Sequence, residues 1–216
     1  MNTDDQRFAQ WGTWVEAILA DVRNVLFQRC IFWEVQKIID ANPRIQRSSA
    51  FYGWMGSVYV SSALMGVRRQ LDLDQQSISL VRLLTEIIRF PQVLSRDRFV
   101  ALYPSTHPEL EEIAHREFDS LVSPGATHID PSRVREDLTS FQFVAEDHER
   151  LATKRLAHLD AIGPPRIPTF AELDGVLDHM GDLVRRYRLL LKARDEDLLP
   201  LLPYDWKKIF RVPWIP

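Results

Sequence analysis

The chain has 216 residues, 45% of them hydrophobic and 26% charged, with a formal net charge of −3. That length suits one domain whose core can fold without disulfides or metal. The slightly acidic balance excludes a global attraction to nucleic acid, so any phosphate-binding surface must be a local basic patch.

Cys30 is the single cysteine, which excludes an internal disulfide and a cysteine-rich zinc site. Met1–Gln6 is polar and acidic, with neither the basic n-region nor the apolar h-region of a signal peptide. No window approaches 18 uncharged apolar residues. The expectation is a cytoplasmic chain that does not span a membrane.

In chain order, Trp11, Trp14, Ile18, Val22, Val25, Phe32, Val35 and Ile39 recur at three- and four-residue steps and predict a helix from Arg7 to Asp40, ended by Asn42-Pro43. A second helix is expected from Ile45 to Gln70, with Phe51, Trp54, Val58, Ser61, Met65 and Arg69 on one stripe. Its small residues Gly53, Gly56, Ser57, Ser61, Ser62, Ala63 and Gly66 suit close helix packing, within one subunit or across a dimer. A third, apolar over most of its circumference, starts near Ser77 and stops at Pro91.

Between them, Arg68, Arg69, Asp72 and Asp74 crowd a short polar run. Ion pairs holding the corner are one reading, with Ser77 capping the next helix; phosphate binding by the arginines is the other. Residues 92–107 leave room for a short helix around Asp97–Tyr103. Thr106-His-Pro-Glu109 then matches a capping box for a helix to Val122.

Ser123–Pro131 is the clearest loop, and Asp130-Pro131 opens a long helix expected to reach Ile162, with Val134, Leu138, Phe141, Ala145, Ala152 and Leu156 near one stripe. Gly163-Pro-Pro-Arg-Ile-Pro168 breaks it, and Thr169-Phe-Ala-Glu172 is a second capping box, opening a helix through Leu191. No alternation supports a strand. The expected architecture is all-α, a bundle of five to seven helices in one domain over residues 1–194. A proline- and aromatic-rich tail, residues 195–216, is laid on the bundle or docks a partner.

Several chemistries are struck out. The glycines are scattered, so no phosphate loop forms, and the six histidines show no metal-ligand spacing. No metal site and no cofactor is expected. What remains is the basic run from His148 to Asp160. On a helix, Asp147, Leu151, Lys154, Arg155 and His158 share a broad sector, with Arg150 about 80° from His158. An imidazole beside guanidinium and ammonium groups has the parts for metal-free phosphodiester cleavage: it titrates near neutrality, and the cations can hold charge on the phosphorus oxygens. The plainer reading is a solvated helix face with His158 at its C-terminal end, where a cation is favoured. His148, on the apolar stripe, reads as a core histidine with its hydrogen bonds satisfied.

The segment Trp54 to Ile88, through Tyr59-Val60, Val67-Arg-Arg-Gln-Leu-Asp72, Ser77-Ile-Ser-Leu80 and Arg82-Leu-Leu84, resembles the bacterial HEPN branch associated with abortive infection, the U-type proteins. Lys154-Arg-Leu-Ala-His-Leu-Asp160 is similar to the Lys-x-x-Ala-His-x-Asp ending common in that branch. The resemblance implies a helical, dimeric, metal-independent endoribonuclease of a phage-defence or toxin–antitoxin system. Its partners would be RNA, a second copy and an antitoxin or defence protein. It also implies an arginine and a histidine, four to six residues between them, from each subunit across the dimer seam.

His158 takes the histidine role. Arg150 precedes it with seven residues between, one more than the pattern, and Arg155 with only two. Arg150 reaches on a distorted helix, or Arg155 or one of Arg68 and Arg69 substitutes, or the site is an inactive RNA- or protein-binding module. Lys154, Arg68 and Arg69 are the candidate RNA-binding side chains.

Overall fold

The computed structural model describes residues 3–104, 108–157, 166–198, 202 and 205–212. Among them are seven α-helices: α1 Thr3–Asp40, α2 Ala50–Leu71, α3 Leu80–Arg89, α4 Arg96–Val100, α5 Pro108–Leu121, α6 Pro131–Leu151 and α7 Phe170–Lys192. No strand occurs among the described residues; a lone bridge joins Ser95 to His128. The chain is all-α, and none of the described helices is long and apolar enough to cross a membrane.

The long α1 is the spine. It packs along α7 and α2, while α3 and α6 pack together beside α2. Trp11, Val15, Ile18, Val22 and Val25 bury one face of α1 at helical spacing, and Leu173, Val176, Leu177, Met180, Val184, Tyr187 and Leu191 answer from α7. Both faces feed one core that also takes Leu80, Leu83, Leu84 and Ile87 of α3 and Phe141 and Ala145 of α6.

Local chemistry sets the helix starts. Thr169 accepts from Glu172 N and the Glu172 carboxylate accepts from Thr169 N, the reciprocal pair expected from sequence. Asp130 accepts from Ser132 N at 2.8 Å, with Pro131 at the first helical position. The Thr106 cap of α5 lies outside the described residues. Helix α3 begins two residues later than expected, because its cap is Ser79, which accepts from Arg82 N. Ser77 instead donates to the Asp74 carbonyl at 2.8 Å.

Helix α2 is turned from its expected phase. The residues it buries are Tyr59, Ala63, Leu64, Gly66, Val67, Gln70 and Leu71, whereas Phe51, Trp54 and Val58 face outward. Gly66 accounts for the rotation: a Cβ there would sit 2.5 Å from Val25 Cγ2, so its bare backbone lies directly against α1.

The segment after α7 folds back. Ala193 turns the chain at φ 49°, Arg185 pairs with Asp195, and Glu196 meets Arg23 at 2.6 Å. Leu198 is buried beside Leu26 and Gly181. Farther on, Lys207 of the turn Trp206–Arg211 reaches Glu34 on α1.

Candidate functional site

The basic run occupies the end of α6. Beyond Leu151 the helix widens into a π turn over Ala152–Ala157, so the α-helix expected to reach Ile162 stops eleven residues early in its regular form. A π turn closes i→i+5 hydrogen bonds and takes about one residue more per turn than an α-helix, and such turns recur at functional sites. This one packs against α2. It carries Lys154, half-buried, and Arg155, exposed, neither with an ion-pair partner among the described residues. His158, the next residue after the π turn, lies outside the described residues.

Arg150 is on the last turn of regular α-helix. It donates to Glu146 at 2.6 Å and lies 3.7 Å from Asp147. Asp147 also accepts from Arg166 at 3.0 Å, and Arg166 donates to Glu172 at the start of α7. Backbone and side-chain donors from Thr169, together with Arg166, hold the Glu172 carboxyl down to about 2. Arg166 therefore ties the chain entering α7 back to α6, spanning the segment that contains His158 in sequence. Sequence reasoning missed this clamp, since an arginine inside Gly163-Pro-Pro-Arg-Ile-Pro168 reads only as loop.

His148 is buried, as expected from its stripe, but it is not satisfied. Only 3% exposed, it has no hydrogen-bond partner at either ring nitrogen among the described residues. The Val144 carbonyl one turn back acts on the ring without completing a hydrogen bond. Burial, partly offset by Glu172 and Asp147, holds its pKa below the usual histidine value. It is a neutral core ring rather than a surface acid or base.

At the α2–α3 corner the expected arginine–aspartate pairs do not form. Arg69 grips Asp21 of α1, with its Nη2 at 2.7 Å from Oδ1. Gln70, 2% exposed, donates to the same carboxylate at 2.7 Å and accepts from Leu80 N at 3.0 Å. Asp72 and Asp74 accept from backbone N–H groups two residues on, at 2.9 and 2.7 Å. Short acidic side chains in a turn are captured by local amides before a long arginine reaches them.

Arg68 differs from its neighbour. Half-buried, and without an ion-pair partner among the described residues, it lines a cleft of about 380 Å³ with Met65, Arg69, Asp72 and, across from α2, Glu149 of α6. No group of His, Cys, Asp and Glu among the described residues could hold a metal ion.

The chain matches no family model, no curated protein and no solved structure. Its chemistry must be argued from the side chains themselves. The structure brings Arg150 close to the π turn bearing Lys154 and Arg155, and sets Arg68 opposite Glu149, one residue before Arg150. It commits Arg69 to a structural pair.

Proposed function

We propose that this chain is a HEPN-like, metal-independent endoribonuclease of a bacterial phage-defence or toxin–antitoxin system, acting in the cytoplasm as a homodimer. The observation that supports it most is the π turn. In an α-helix a seven-residue step makes almost two full turns and returns a side chain to the same face. The Arg150-to-His158 step is eight, and it passes through a turn that absorbs about one extra residue. The irregular spacing that sets this sequence apart from the HEPN pattern thus has a compensating distortion in the helix that carries it.

In the proposed reaction His158 takes the proton of a ribose 2′-hydroxyl. The 2′-oxygen attacks phosphorus, the P–O5′ bond breaks, and the leaving 5′-oxygen gains a proton from an acid in the site or from water. Charge on the phosphorus oxygens is met by Arg150 or Arg155, with Lys154 and Arg68 along the incoming strand. Arg150 can turn to phosphate at little cost to Asp147, because Arg166 already holds that carboxylate. Its grip on Glu146 favours the second reading, an inactive HEPN-like module that binds RNA or protein.

The test is RNA incubated in EDTA with purified protein and with Arg150→Ala, Arg155→Ala and His158→Ala variants. Loss of cleavage in the His158 variant and in at least one arginine variant supports the reading. Cleavage unaffected by all three substitutions overturns it.

A further inference from the structure

We propose that the end of the molecule formed by the α1–α2 connection and the turn Trp206–Arg211 docks on an anionic lipid bilayer, which it touches without crossing. Among the described residues none from 36 to 58 is buried, so the last turn of α1, the loop to α2 and the first turns of α2 stand at the edge of the core rather than within it. Local bonds shape this end. The Gln46 side chain donates to the Asp40 carbonyl, and Tyr52 Oη donates to the Ile45 carbonyl at 2.9 Å. The turn Trp206–Arg211 joins it through Lys207, 2.5 Å from Glu34 of α1.

Two properties coincide there. The first is charge. The chain is acidic at −3, yet residues 41–71 contain no Asp or Glu. At this end Lys37, Arg44, Arg47, Lys207, Lys208 and Arg211 stand against three carboxylates, Glu34, Asp40 and Asp205. Glu34 is taken by Lys37 and Lys207, and Asp205 lies 3.7 Å from Lys208. Arg44, Arg47 and Arg211 are exposed and have no ion-pair partner among the described residues. The second property is apolar surface: Ile45, Phe51, Trp54, Ile209 and Val212 are between 37% and 60% exposed.

A bilayer interface takes both. Apolar groups enter the boundary between headgroups and acyl chains while arginine and lysine meet the lipid phosphates. Tryptophan suits that depth because its ring is amphipathic. Single-stranded RNA would answer the same charges but less of the apolar surface. It stacks bases on aromatic rings, and Ile45, Ile209 and Val212 offer none. The acidic remainder of the chain is repelled by an anionic surface, which sets the direction of approach. Each unpaired cation at such a surface is worth about fivefold in binding. The inference does not rest on the ribonuclease reading. A chain that binds vesicles and leaves RNA intact upholds the one and sinks the other.

The experiment is co-sedimentation of the full chain with vesicles of phosphatidylcholine, alone or with about 30% phosphatidylglycerol, at low salt and at about 0.5 M salt. The parent should pellet with the anionic vesicles, bind the neutral ones at least about tenfold more weakly, and lose most of its binding at high salt. That preference tests the proposal without any variant. The double variant Arg44→Gln/Arg47→Gln should bind about 25-fold more weakly, and Trp54→Ser at least about tenfold more weakly. Arg135→Gln, which removes an exposed cation from α6, should bind as the parent does. All four changes are on exposed side chains, and circular dichroism checks that helicity is unchanged. No binding by the parent, equal binding to neutral and anionic vesicles, or equal losses in Arg135→Gln and the double variant would overturn the proposal. If the parent ignores vesicles while its affinity for poly(U), read by fluorescence anisotropy, falls in the double variant, this end is an RNA surface and the proposal fails.

Discussion

His148 is the sharpest thermodynamic consequence of the structure. Its ring is 3% exposed, and neither nitrogen has a hydrogen-bond partner among the described residues. Desolvation lowers its pKa, with Arg166 adding to the effect and Glu172 and Asp147 opposing it. In the unfolded chain the same ring titrates near the ordinary value of about 6.5. As pH falls below that value the unfolded chain takes up a proton that the folded one refuses. Stability is therefore full above about pH 6.5 and declines as pH drops, until the lowered folded-state pKa is passed.

For one proton the slope in that window approaches about 1.4 kcal/mol per pH unit. Leucine, of similar bulk and without polar atoms, removes this dependence. Each unpaired buried nitrogen costs about 1–3 kcal/mol, so His148→Leu should be at least as stable as the parent at pH 7.5. The assay is urea unfolding of both proteins at pH 7.5, 6.5 and 5.5. The variant's advantage should widen as pH falls, with unchanged m-values. Parallel pH profiles would refute the reasoning, since they require a ring that titrates alike in both states.

Three further outcomes follow from packing and register. Gly66→Ala forces a methyl toward Val25 and should cost about 1–3 kcal/mol in thermal or urea unfolding, whereas Gly175→Ala, in open space on α7, should stabilise by about 0.5–1 kcal/mol. Arg188, 4% exposed and paired with Glu16 at 2.9 Å and Glu196 at 3.3 Å, joins α7 to α1 and the returning segment. Arg188→Ala should cost about 2–4 kcal/mol by urea unfolding, and Arg188→Met, which keeps the stem's packing, clearly less. Deleting Thr153 removes the extra residue of the π turn and leaves a seven-residue arginine-to-histidine step. The segment should close as α-helix, visible in a crystal structure, and RNA cleavage should stay within about tenfold of the parent.

Much of the helix pattern was legible because caps and breakers are local. Thr169 with Glu172, and Asp130 with Pro131, carry their geometry in four residues or fewer. Helix α2 shows the limit. Its outward stripe is as apolar as its buried one, so periodicity marks a helix without saying which side faces the core, and that choice falls to Gly66 against Val25. Ser77 and Ser79 are equally fit to cap, and the successive turns at Asp72 and Asp74 decide between them.

The candidate site was legible only as a list of basic residues. The π turn has no compositional signature, because it depends on amides reaching one carbonyl farther back. The Asp147–Arg166–Glu172 clamp joins three segments that are not adjacent in sequence. Arg68 and Arg69 read alike, and only the position of Asp21 on α1 separates the structural arginine from the one lining the cleft.

The most direct test of the proposed activity is the chemistry of the RNA ends. With EDTA present, the parent protein should generate 2′,3′-cyclic phosphate ends detectable by mass spectrometry, and His158→Ala should generate none. Cyclic ends in equal yield from both proteins, or no cleavage by the parent across a range of RNAs, would contradict the account.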